Sequence, residues 1–118
     1  INDVTTDMGA YSEGRFATVD NFTDVGKHWS EMKGFALGLQ FSPFSPFRDE
    51  TVTEVDLNSL KTVLAALGDA PMLADGSQGG VSAGDTDTAI AGYISGLASA
   101  RQTLQAAYGF DADNVAGW

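Results

Sequence analysis

Three stretches of this chain carry apolar residues at helical spacing, and polar or turn-forming residues separate them. The first runs over 20–41, where Asp20 or Asn21 can cap a helix that Ser42-Pro43 and Pro46 stop. Phe22, Val25, Trp29, Met32, Phe35, Leu37, Leu39 and Phe41 cover most of its circumference, the pattern of a helix surrounded by others. Its interior glycines, Gly26, Gly34 and Gly38, each cost up to about 1 kcal/mol relative to alanine, which leads us to expect close backbone packing there. The second helix, 56–68, has Leu57, Leu60, Leu64 and Leu67 at spacings of three and four, then Gly68 as a stop. The third, 85–109, carries the stripe Ile90, Ile94, Leu97, Leu104 and Tyr108 and ends at Gly109. Opposite that stripe lie Ala89, Gly92, Gly96, Ala100 and Ala107, a small face that lets another helix approach closely.

The intervening segments lack this period. Residues 1–19 mix Gly9, Gly14 and threonines with isolated apolar positions and read as an irregular entry. The connector 42–55 continues the near-repeat Phe41-Ser42-Pro43-Phe44-Ser45-Pro46-Phe47, whose prolines restrict it to extended or turn geometry; its phenylalanines are expected to pack on the domain, with a peptide-binding or partner-docking patch as the alternative. The glycines of 69–84 mark a loop, and 110–118 is a tail with room for one more turn. Asp75, Asp85 and Asp87 do not follow the order of a calcium-binding EF-hand loop and read as loop and cap residues. The expected fold class is all-α: a helical bundle of three main helices with an irregular N-terminal segment. Because one helix is apolar nearly all round, the bundle is expected to be completed by another part of the polypeptide, by a second chain or by a symmetry mate.

Composition narrows the partners. The 118 residues fit one domain, with 16 Asp and Glu against 6 Lys and Arg and a formal charge of -10. Such a surface repels nucleic acid and anionic membranes and attracts cations. No stretch approaches the roughly 20 apolar residues of a membrane span. The absence of cysteine removes disulfides and thiolate chemistry and leaves the compartment open. A start at Ile1 reads as a processed or excised piece, either a mature product after removal of an export signal or a fragment of a longer polypeptide.

Candidate chemistry centres on the single histidine. At about 100° per residue, Asp24, His28 and Glu31 share one face of the first helix. Imidazole nitrogen with carboxylate oxygen suits iron, zinc or manganese, although one helix supplies only part of a coordination sphere. The bland alternative pairs Glu31 with Arg101 of the third helix and makes His28 a hydrogen-bonded core residue. There is no HExxH, no GxSxG, no P-loop and no dinucleotide glycine fingerprint, so hydrolase and nucleotide chemistry gain no support.

Gly26-Lys27-His28-Trp29-Ser30-Glu31 matches the GxHxxE motif of the imelysin-like family. The stretch from Lys27 to Phe41, with Ala107-Tyr108-Gly109-Phe110-Asp111-Ala112-Asp113-Asn114-Val115 and Trp118, resembles the C-terminal part of an uncharacterised bacterial domain family. The resemblance covers about 20–118. It implies an all-helical bacterial protein exported to the periplasm or outer membrane, associated with iron, with His28 and Glu31 at a proposed metal site; Asp24 is our candidate for a third ligand. A peptidase label also attaches to that family, which keeps metallopeptidase as a weaker alternative. The competing expectation is a structural or interaction subunit of a larger assembly that holds no metal.

Overall fold

A computed structural model describes residues 1–12, 19–48 and 56–116. It is an all-α bundle: α1 (Asn2–Ser12), α2 (Val19–Gly38), α3 (Leu57–Leu67), α4 (Thr86–Tyr108) and a short α5 (Ala112–Ala116), with one 3₁₀ turn at Pro46–Arg48. Extended pairing among the described residues is limited to isolated bridges, Met72 with Gln78 and Gln78 with Val81, inside the glycine loop.

The second and third expected helices stand where their capping residues put them. Asp56 caps α3 by accepting from the Ser59 amide at 2.8 Å, and the Ser59 hydroxyl reaches back to the Asp56 amide to close a capping box. Asp85 caps α4 through the Thr88 amide, also at 2.8 Å. These hydrogen bonds favour the charged carboxylates, so both Asp56 and Asp85 sit below the usual aspartate range. Gly68 and Gly109 end the two helices with positive φ, 74° and 65°. The first expected helix stops earlier than 41: regular hydrogen bonding ends at Gly38, and Leu39–Phe41 close as a turn.

The N-terminal segment is not irregular over its first part. Residues 2–12 form α1, whose Val4, Met8 and Tyr11 are all buried. Their spacings of four and three place them on one face, and docking on α2 and α4 stabilises a helix of modest intrinsic propensity. The remainder of that segment, 13–18, lies outside the described residues, as do 49–55 of the connector.

α3 and α4 form the most extensive helix pair, and the core runs through Val4, Met8, Val25, Met32, Val63, Leu67, Ile90 and Leu97. The small face of α4 is used at Gly96, where a Cβ would lie 3.8 Å from the Ala66 side chain and carbonyl. The glycines of α2 are not explained this way: a Cβ at Gly26, Gly34 or Gly38 would meet nothing within 4 Å. α2 buries Val25, Met32 and Ala36, while Phe22, Phe35 and Leu37 remain exposed. No helix among the described residues is long and apolar enough to cross a membrane.

Candidate functional site

α2 carries the single histidine at a position facing α1. His28 Nδ1 lies 2.8 Å from Asp7 Oδ2, with the two side chains 24% and 17% exposed. An ionised carboxylate only accepts, so Nδ1 holds the hydrogen of this bond; in the neutral imidazole Nε2 then carries the lone pair. The carboxylate orients the ring, as it does for many ligating histidines. Asp7 comes from the segment that lacked a readable period, and it was missed for that reason. The available signal was the spacing of Val4, Met8 and Tyr11, which sets α1 beside α2.

The other members of the expected row do not join this pair. Asp24 and Glu31 are exposed on α2, and among the described residues no three His, Asp or Glu side chains are arranged to hold a metal ion. Among the described residues the donor set therefore does not by itself fit iron or zinc. Glu31 is not the hydrogen-bond partner of Arg101 either. Arg101 donates through Nη1 to Asn2 Oδ1 at 2.7 Å, and Asn2 donates to the carbonyls of Val115 and Ala116. That relay joins α4, the start of α1 and α5.

A second polar cluster surrounds the C-terminal end of α3. Lys33 Nζ donates to the carbonyls of Leu64 and Gly68 at 2.9 and 2.5 Å, and Trp29 Nε1 and Tyr93 Oη donate to that of Leu67 at 2.9 and 3.0 Å. The Gly68 amide turns back to the Ala65 carbonyl. Carbonyls that have no partner within a helix end are thus supplied by α2 and α4, and a cation faces the negative end of the helix dipole. Burial pushes the Tyr93 hydroxyl up to about 12, and the same cause raises Tyr11, which donates to the Met72 carbonyl at 2.6 Å, also to about 12.

Beyond α2 the proline-restricted connector divides its aromatic residues. Phe47 is buried, its ring edge-on to Tyr108 at 6.1 Å, and Tyr108 stacks on Phe110 at 5.1 Å. Phe41 and Phe44 are 75% and 91% exposed, and Phe35, two turns before on α2, is 78% exposed. The expectation that all three connector phenylalanines pack on the domain is corrected for two of them. The proline-restricted turn leaves Phe41 and Phe44 outward and turns Phe47 inward. Between α2 and α4 opens a cavity of about 360 Å³, walled by Met32, Ala36, Leu39, Leu67 and Leu104, with Arg101 among its lining.

No family model matches this sequence, and comparisons with curated proteins and with solved structures returned no match.

Proposed function

We propose that this protein is an interaction subunit: a helical scaffold that presents the exposed rings of Phe35, Phe41 and Phe44 to an apolar surface of a partner protein. The observation that carries this reading is the exposure of these three rings, 78%, 75% and 91%, on and just beyond the helix whose sequence is apolar nearly all round. A single exposed phenylalanine is ordinary, but three large exposed rings close together in sequence, two of them on a proline-restricted turn, offer apolar area that gains by leaving water. The chain's charge of -10 opposes non-specific clumping and favours a partner with a basic rim around its apolar centre.

The test is the association behaviour of the chain when its charge is screened. Wild-type protein should self-associate reversibly as salt is raised, measured by light scattering after size exclusion, and should bind an apolar dye. Phe41→Ser/Phe44→Ser should remain monomeric and lose the dye while keeping its helical circular dichroism. A wild-type chain that stays monomeric in high salt and binds no dye would sink the proposal.

The Asp7–His28 pair favours a second reading, in keeping with the imelysin resemblance. Here His28 offers Nε2 to iron or zinc, with Asp24, Glu31 or carboxylates of the docked partner completing the set. Equilibrium dialysis of each metal against wild type and His28→Ala decides it, since equal and negligible uptake by both removes the metal role.

A further inference from the structure

We infer that the cleft between α2 and α4 is a binding site for a medium-chain fatty acid, with its carboxylate on Arg101 and its alkyl chain along the apolar walls. The site differs in chemistry from the exposed rings of Phe41 and Phe44, and it shares Phe35 with the docking surface proposed above. It encloses about 360 Å³, near the small end of the range of roughly 300–1,000 Å³ usual for small-molecule pockets. Met32, Ala36, Leu39, Leu67 and Leu104 offer apolar side chains only.

Arg101 is the one charged side chain among the described lining residues. The ion pairs among the described residues are His28 with Asp7 and Lys33 with Asp69, and Arg101 belongs to neither. Its hydrogen bond goes through Nη1 to the neutral amide of Asn2. A guanidinium has five N–H donors in a planar fork, so donors remain for an incoming group. In a chain with 16 acidic and 6 basic residues, a half-buried arginine without a carboxylate partner among the described residues is unusual, and it lies where apolar walls lower the local dielectric.

The placement on α4 sets the polarity of the ligand. Arg101, Leu104 and Tyr108 lie on one stripe, three and four residues apart, so the cation and the aromatic ring stand about two turns, roughly 10 Å, from each other along the wall. A carboxylate at one end of an alkyl chain matches that order of cation and then hydrocarbon. A cationic head would be repelled, and an uncharged head would leave the guanidinium unmatched.

Calorimetric titration with decanoate, decanol and decyltrimethylammonium, each below its micelle-forming concentration, tests the assignment. Wild type should bind one decanoate saturably, roughly tenfold or more tighter than decanol, since a charge-assisted hydrogen bond carries a difference of that order. Decyltrimethylammonium should bind least. Arg101→Gln retains an amide able to donate to Asn2 and should lower decanoate affinity to that of decanol, while decanol itself changes little. Leu104→Trp, which fills the cleft, should weaken both. If Arg101→Gln loses its helical signal, the ranking of the three ligands on wild type decides alone. Equal affinity for decanoate and decanol, preference for the cationic ligand, or no saturable binding would overturn the site.

Discussion

Replacing Lys33 by methionine should be among the most damaging single changes to a polar side chain in this protein. The ammonium group is held by the carbonyls of Leu64 and Gly68 at the end of α3, and the side chain is only 12% exposed, so little water can take over those bonds. A hydrogen bond to a charged group contributes about 1.5–3 kcal/mol net. The favourable placement of a cation at a partly buried helix C-terminus adds up to about 2 kcal/mol, much of it the same interaction counted another way. Methionine restores some packing along the stem and removes the cost of desolvating the ammonium. The expected loss is therefore about 2–3 kcal/mol, a large part of the roughly 5–15 kcal/mol that holds an ordinary domain together. In urea, followed by circular dichroism at neutral pH, the midpoint should fall by about 1–2 M with an unchanged slope, given slopes of about 1–3 kcal/mol per molar. The Asp69 carboxylate, 3.3 Å from the same ammonium, is the internal control. It is fully exposed, and Asp69→Asn should shift the midpoint hardly at all. If Lys33→Met is no worse than Asp69→Asn, the capping of α3 by α2 contributes nothing and the reasoning fails.

Three further outcomes follow from the same geometry. Gly34→Ala should stabilise the isolated chain by up to about 1 kcal/mol, because the added methyl meets nothing and alanine is the better helix former; a lower thermal midpoint would show that this face is covered in solution. Gly68→Ala should destabilise by about 1–3 kcal/mol in a thermal melt, since its φ of 74° with ψ of 175° is glycine territory and a Cβ would run into the Gln78 amide; an unchanged melt would refute the backbone argument. Raising the pH should weaken the fold in the alkaline range. Tyr11 and Tyr93 titrate near 12 when folded against 10.0 as the ordinary value, so their contribution is complete below about 10 and is lost as pH rises through 12. Tyr93→Phe should flatten part of that alkaline slope in stability measured by denaturant titration, and an identical slope would exclude Tyr93 as its source.

Much of α3 and α4 could be read directly from the chain. Asp56 with Ser59 and Asp85 with Thr88 start these helices by local hydrogen bonds, and Gly68 and Gly109 stop them by a backbone conformation that favours glycine. Such signals act over a few residues and need no knowledge of neighbours. α1 was not legible, because Val4, Met8 and Tyr11 are separated by glycine and threonine and become a helix face only against α2 and α4. The candidate chemistry divides in the same way. Helical spacing alone put Asp24, His28 and Glu31 on one side of α2, but spacing along one helix cannot say which other helix supplies a partner.

Tertiary packing chose Asp7 for His28 and Asn2 for Arg101, residues 21 and 99 positions away. It also decided which rings of the Phe-Pro repeat are sheltered, burying Phe47 against Tyr108 and leaving Phe41 and Phe44 in water. Local hydrogen bonding and backbone sterics are short-ranged, so the sequence by itself determined where α3 and α4 begin and end and that the class is all-α. Side-chain pairing and burial depend on which surfaces meet, and the fate of His28, Arg101 and the apolar face of α2 was settled only when the helices came together.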